Sequence, residues 1–302
     1  MKPLVSILIV NYNGAKYLRP CLLALEVQSL PRYRFEVIVL DNASQDGSGE
    51  IVASEFSWCQ LVRSKGNLGF AEGNNVAKSF ARGEWLVLLN NDTIPDPHWL
   101  EELVREAEES GSSRIVSKLV LGPDGKVINS GGVVLLRSGW ATDDGFRMED
   151  DGRFEQSRDV FAGCGAALMI RNRPGPIFPK DYFAYYEDVD AAWGERANGQ
   201  STRYASRAVV QHALGSAAGE RSPLFTFLTE RNRLLTTVKH ADPFLAGWAS
   251  LKFACKSALG FVRVRTPHSR SRLFALASFL LRLPSTLVRR YDARSPVVEG
   301  VR

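Results

Sequence analysis

Four short apolar runs open the chain: "LVSILIV" (4–10), "FEVIVL" (35–40), "CQLV" (59–62) and "WLVLL" (85–89). They are nearly continuous in Val, Ile and Leu and do not alternate with polar residues. That is the pattern of strands buried on both faces. Between them the apolar positions recur at helical spacing, over about 16–29, 46–55, 70–81 and 97–110. In "DPHWLEELVREAEES", Asp96 is the expected N-cap and Pro97 the first helical residue, ahead of a stripe of Trp99, Leu100, Leu103, Val104 and Ala107. Strand and helix alternating at this spacing predict βαβ units and a mainly parallel sheet.

After about residue 113 the rhythm changes. "GPDGKV" and "NSGG" are turn signals between short strand-like pieces, and 139–158 is polar and reads as a loop. "VFAGCGAALMI" (160–170) reads as one more buried strand. "EDVDAAWGERANG" (187–199) reads as a helix ending at Gly199, and "RAVVQH" (207–212) as a last short strand. From about 243 the pattern is helical. The expected division is a body over 1–242, in halves of about 1–112 and 113–242, and a helical tail over 243–302.

Composition is that of an ordinary globular chain, with 45% hydrophobic and 24% charged residues among 302. The net charge of +5 is unevenly placed: residues 252–302 hold 11 Lys/Arg against 2 Asp/Glu. The body is therefore mildly acidic and the tail strongly basic. The four cysteines share no metal-ligand spacing and read as reduced thiols of a cytoplasmic protein. The run Leu4 to Val10 reads as a first strand and not as a signal peptide.

Ligands of open parallel sheets bind beyond the carboxyl ends of the strands. Here those ends are polar: Asn11-Tyr12-Asn13-Gly14, Asp41-Asn42-Ala43-Ser44, Arg63-Ser64-Lys65 with "GNLGFAEGNN" (66–75), and Asn90-Asn91-Asp92. Each alone is equally a turn former. Together they predict a site on one rim. "GCGAAL" (163–168) starts like a G-x-G-x-x-G loop but ends in Leu168 and opens no helix, and there is no P-loop. Both facts argue against a dinucleotide oxidoreductase or a Walker-type nucleotidase.

The ordered set "VSILIVNYNG", "VIVLDNASQDGS", "GNLGFAEGNN", "LLNNDT", "FAGCGAALMIR" and "YYEDVDAAWGERANG" resembles family 2 glycosyltransferases. The branch it is most similar to is the bacterial rhamnosyltransferase and galactofuranosyltransferase one. The resemblance covers about residues 4–240. It implies the GT-A fold, a Rossmann-like, mainly parallel sheet flanked by helices, here with a C-terminal helical extension. It implies that Asp41 binds the base of a UDP or dTDP donor, with Asn11, Tyr12 and Asn13 flanking it. Asn67, Gly69 and Asn75 would line the nucleotide, with Asn90 and Asn91 nearby. A capping turn with Ser44 and Asp46 is the other reading of Asp41, and a helix cap that of Asn67.

Asn90-Asn91-Asp92 stands where the family carries an acidic metal motif. The resemblance implies that Asp92 and His212 hold Mg²⁺ or Mn²⁺, with the donor diphosphate completing the shell. A strand-end imidazole bonded to backbone is the alternative for His212. Asp188 matches the general base of an inverting transfer, with Asp190 second, and an acidic first turn complementing the helix dipole is the alternative. Gly163, Tyr186, Glu187 and Trp193 are expected at the acceptor. Arg231 is expected either near the diphosphate or on a solvated helix face.

In the tail, Phe244, Trp248, Leu251, Cys255, Leu259 and Val262 form one helical stripe flanked by Lys252, Lys256 and Arg263. "LFALASFLLRLPSTLV" is expected to break at Arg282 and Pro284, and neither stretch reads as spanning a bilayer. The expectation is peripheral attachment to the anionic inner face of the cytoplasmic membrane, against a helical hairpin packed on the body. No nucleic-acid motif accompanies the charge. The expected activity is metal-dependent sugar transfer to a cell-surface or lipid-linked glycan. The rivals are a nucleotidyltransferase of sugar phosphates and a non-catalytic nucleotide-sugar-binding membrane scaffold.

Overall fold

A computed structural model describes residues 2–122, 124–214 and 222–292. The first half is strand-helix alternation: β1 (Val5–Asn11), α1 (Ala15–Glu26), β2 (Phe35–Asp41), α2 (Ser48–Glu55), β3 (Gln60–Arg63), α3 (Gly69–Lys78), β4 (Trp85–Leu89), β5 (Thr93–Pro95) and α4 (Trp99–Ser110). The second half adds β6 (Arg114–Leu121), β7 (Val127–Ser130), β8 (Val133–Leu135), β9 (Ala141–Asp143), β10 (Arg158–Val160), β11 (Ala167–Arg171), α5 (Glu187–Ala197) and β12 (Thr202–His212). Three helices follow, α6 (Pro223–His240), α7 (Pro243–Arg263) and α8 (Pro267–Asp292).

One sheet organises the body, in the order β10-β12-β6-β11-β4-β1-β2-β3, with β5 added to β12 and β7 to β6. The β3-β2-β1-β4 half is parallel throughout. β11 runs antiparallel between β4 and β6, and β12 is again parallel to β6. Side chains of the central strands are buried on both faces. Ile7, Ile9, Val87 and Leu89 face a core under α1 and α4, while Leu8, Leu86 and Leu88 face a core under α3 and α5. Each such side chain contributes about 1.5–3 kcal/mol on leaving water, which is why the runs carry no polar alternation.

Several boundaries differ from the sequence expectation. α4 starts at Trp99, and Asp96 instead closes the preceding turn by accepting from the His98 N–H at 3.0 Å. The stretch 160–170 is not one strand. It breaks at 161–166, between β10 and β11, because Cys164-Gly165-Ala166 turns to meet the end of β4, where Asn90 N–H donates to Ala166 O at 2.9 Å. β12 begins five residues before the expected 207, with a bulge between Ala205 and Val209.

α8 runs through Arg282 and Pro284. Ala275 and Phe279 are buried with Leu234, Leu235 and Phe253 in a third core, which outweighs the local cost of a helical proline, about 3 kcal/mol. Ser285 and Thr286 hydroxyls both donate to Arg282 O across that turn. By length and composition Pro267–Arg290 is also long and apolar enough to cross a membrane, with a mean hydropathy of 1.2, contrary to the sequence expectation.

Candidate active site

Strand register assembles the first wall. Asn11 pairs with Asp41, and Asp41 with Arg63, so three strand ends meet in one row. The Asn11 amide is consumed there: Nδ2 donates to Ser48 Oγ at 2.8 Å and Ser44 Oγ at 3.2 Å, and Oδ1 accepts from Asn91 Nδ2 at 2.7 Å. Asn11 therefore stands behind the surface and ties the three loops together. Gly14 is required at this junction, because a Cβ there would lie 2.0 Å from Asn91 Nδ2. Asp41 Oδ1 accepts from Ser44 N–H at 3.0 Å, the anticipated capping turn. Its other oxygen faces Gly49, where a Cβ would approach it to 2.4 Å. Tyr12 and Asn13 project beyond this row, half-buried and exposed respectively, and Asn13 is held at φ 51 by its bond to the Gln45 N–H.

The loop after β3 is organised by Asn42, which sequence reasoning passed over. Its Oδ1 accepts from Leu68 N–H, and its Nδ2 donates to Asn67 Oδ1 and Gly69 O. Asn67 also accepts from Gly69 N–H at 2.9 Å, so it does cap the start of α3. Gly69 adopts φ +77, and the backbone it approaches is the chain's own: a Cβ would lie 2.3 Å from Phe183 O. Asn75 is turned away to another task. Its Oδ1 accepts from Ile177 and Phe178 N–H, and its Nδ2 donates to Phe178 O. It thus straps the 177–178 segment to α3.

Asp92 and His212 meet. β12 pairs His212 opposite Thr93, and Ala213 N–H donates to Asp92 O at 2.9 Å. His212 Nε2 lies 3.2 Å from Asp92 Oδ1, with the two side chains 9% and 3% exposed. His212 Nδ1 lies 2.7 Å from Asn129 Oδ1, a partner hidden in a stretch that reads as a turn in sequence. With Nδ1 turned to Asn129, Nε2 is the ring nitrogen presented to the carboxylate oxygen. That donor set fits a divalent cation, and an outer hydrogen bond of this kind orients a ligating imidazole. Among the described residues no third His, Cys, Asp or Glu joins them. The turn is fixed by Thr93 Oγ1, which donates to Asn90 O at 2.6 Å, and Asn90 is left half-buried at the rim.

Asp188 closes the opposite side. Oδ2 accepts from Gly165 N–H at 2.9 Å and Oδ1 from Val189 N–H at 2.8 Å. Gly165 adjoins Ala166, which holds Asn90, so the Asp188 carboxyl and the Asn90–Asp92 turn share one loop. Burial pushes the carboxyl of Asp188 up despite these two bonds. Glu187 is pushed well above the usual range, by burial first and by Asp188 second, and its Oε2 has no hydrogen-bond partner among the described residues. Asp190 is the opposite case. It is buried, but His240 Nε2 at 3.0 Å and Lys239 Nζ at 2.6 Å hold its carboxyl below the usual range. Thus Asp190 is a tie to α6, while Asp188 and Glu187 have no such cation against them among the described residues.

The residues just before α5 are strained. Tyr185 and Tyr186 adopt φ 70 and 69, a conformation that costs a non-glycine residue about 1–3 kcal/mol. Asn232 of α6 offsets it by donating to Ala184 O and Tyr185 O at 2.9 and 2.7 Å. Tyr186 is buried, with its hydroxyl accepting from the Ala141 N–H. Trp193 stacks on His240 at 5.7 Å and meets Phe161 edge-on. Gly163 packs on Val116, where a Cβ would come within 2.8 Å. These three therefore shape the wall from behind. Arg231 is 6% exposed, donates to Asn232 Oδ1 and Asp181 O, and is pushed down to about 10 by burial. That corrects the solvated-face reading of it.

Comparison with known proteins follows this geometry. The family model described as "Glycosyl transferase family 2" matches residues 6–168. The chain is 34% identical over 113 residues to "Glycosyltransferase AglE" of Haloferax volcanii, covering 36% of this chain and 37% of that protein. It is 25% identical over 310 residues to the N-acetylglucosaminyl-diphospho-decaprenol L-rhamnosyltransferase of Mycobacterium tuberculosis, covering 90% and 96%. Several curated relatives are matched over less than two fifths of their own length. Among solved structures, S. aureus TarS 1–349 in complex with UDP-GlcNAc shares the fold with a TM-score of 0.61 at 19% identity, over 96% of this chain and 87% of that one. Mannosyltransferase PcManGT from Pyrobaculum calidifontis, in complex with GDP-Man and Mn²⁺, does so with a TM-score of 0.56 at 17% identity, over 93% and 88%.

Proposed function

The chain belongs to glycosyltransferase family 2, and from that premise we propose that it is an inverting, divalent-metal-dependent transferase. It moves a sugar from a UDP or dTDP donor to a hydroxyl of a lipid-linked or cell-surface glycan, at the inner face of the cytoplasmic membrane. The observation that carries this reading is the Asp188 carboxyl: half-buried, raised, held by two backbone N–H groups, and braced by the same Gly165-Ala166 backbone that holds Asn90. One carboxylate acting as base, with no separate nucleophile and acid, suits one-step displacement. Asp188 takes the proton of the acceptor hydroxyl as that oxygen bonds to the anomeric carbon. The bond from that carbon to the diphosphate oxygen breaks, and the nucleoside diphosphate leaves with the electron pair.

Asp41, with Tyr12 and Asn13 beside it, receives the base. Asn67, Asn90 and Asn91 face the ribose and diphosphate, while Asn11, Gly69 and Asn75 keep those walls in place. Asp92 and His212 would hold Mg²⁺ or Mn²⁺. When bound, the ion neutralises the charge that develops on the leaving diphosphate. Two protein ligands make a weak metal site until the diphosphate contributes oxygens. Glu187, next to the base, bounds the acceptor.

The test is nucleoside diphosphate release across UDP-, dTDP- and GDP-sugars, with Mn²⁺ and with chelator. Release from a pyrimidine donor only with metal is expected. Metal-independent release, or none from any pyrimidine donor, overturns the donor and metal assignments. Binding without turnover would favour the scaffold reading.

A further inference from the structure

α7 carries two apolar faces. One packs inward, with Ala246, Ala249, Phe253 and Ser257 buried against α6 and α8. The opposite face bears Phe244, Trp248, Leu251, Leu259 and Val262, all exposed, Phe244 at 84%. At 3.6 residues per turn these five fall within a stripe of about 80°, with Lys252, Lys256 and Arg263 along one flank. α8 repeats the arrangement. Phe274, Leu281 and Val288 recur every seventh residue on its outer side, Leu281 at 82% exposure, while Ala275 and Phe279 point inward. Folding does not require either outer stripe, and an apolar surface of this extent marks a partner.

We propose that the outer faces of α7 and α8 are a docking surface for an anionic lipid membrane, on which both helices lie flat. Charge selects this occupant. From Pro243 to Tyr291 the chain holds nine Lys/Arg and no Asp or Glu. Anionic headgroups match that field, whereas a second copy of the chain would bring like charges together. The inward contacts favour a surface path for α8 over a spanning one. Its length is packed on α6, Arg289 is ion-paired to Asp181, and Arg290 donates to Val238 O. Asp181 belongs to the segment that leads into Asp188, so the surface is joined to the body beside the catalytic carboxyl. The acceptor reading gives this surface a purpose, but vesicle binding needs neither donor nor acceptor and succeeds or fails independently of it.

The experiment uses the full chain with vesicles of phosphatidylcholine, with and without phosphatidylglycerol. Cys255 is exposed within the α7 stripe, Cys21 and Cys59 are buried and Cys164 is half-buried, so a polarity-sensitive thiol probe on a Cys164→Ser background reports from that face. The account expects co-sedimentation with anionic vesicles, a blue-shifted probe, and release by carbonate at high pH. It also expects at least tenfold weaker binding for Leu251→Ser with Leu281→Ser, and loss of the anionic preference for Lys252→Gln with Lys256→Gln. Unchanged sedimentation of the folded Ser variant, an unshifted probe, or resistance to carbonate would overturn it. So would a stable dimer that hides the face in the absence of lipid.

Discussion

Asp188 and Asp190 stand two residues apart on one helix and meet opposite surroundings. Asp190 faces Lys239 and His240, which hold its carboxyl below the usual range. Its contribution to stability is present above the unfolded-state value and is lost as pH falls through the lower folded one. Asp190→Asn takes the buried carboxylate away from the half-buried Lys239 and His240, and a loss of about 1–3 kcal/mol in denaturant unfolding at pH 7 is expected. Glu187 and Asp188 are raised together, so the sign reverses. Burying them charged opposes folding once pH rises through their folded values, and a base at Asp188 would work only above its own. Glu187→Gln removes one of two neighbouring charges. The acid limb of the kcat/KM profile should stay in place, because burial and not Glu187 raises Asp188, while Tm rises more at pH 8 than at pH 5. The pair EDVD was readable as a motif, but its assignment of labour was not, because His240 and Lys239 are some fifty residues away in the chain.

At the scale of elements, two loops that look like ligand loops in sequence are braces for each other. Gly69 reads as a glycine for close approach to a nucleotide, yet the atom it makes room for is Phe183 O, to which Phe70 N–H donates at 2.7 Å. Gly69→Ala meets both a positive φ and that oxygen, and is expected to cost about 2 kcal/mol or more. It should lower kcat along with Tm, because the 183–186 segment carries Asp188. Gly66→Ala, in open space, should leave both unchanged, as differential scanning calorimetry and initial rates would report. The parallel strands were legible because continuous apolar runs bounded by polar ends have few other solutions. The break at 161–166 was not, since small residues next to an apolar run carry no mark of which neighbour they pack against. Asn42, Asn129 and Asn232 were missed for a related reason: an asparagine that ties loops together looks in sequence like one that makes a turn.

For the whole molecule, the tail proves inseparable from the body. Phe253 and Phe279 pack with Leu234 and Leu235 of α6, whose Asn232 and Lys239 hold the segment and helix bearing Asp188. Removing 243–302 is therefore expected to lower Tm sharply and abolish activity in detergent solution, where membrane attachment plays no part. The charge contrast between 1–251 and 252–302 was readable in the sequence. Their mechanical continuity was not, because it rests on the inner faces of helices whose outer faces dominate the pattern.

The central claim is that Asp188 is the base and that the donor site is separate from it. The most direct measurement compares the wild-type chain with Asp188→Asn for sugar transfer and for UDP or dTDP affinity with Mn²⁺ present. The account predicts transfer reduced by about 10²–10⁴-fold with nucleotide affinity unchanged. Transfer retained near the wild-type rate would contradict it.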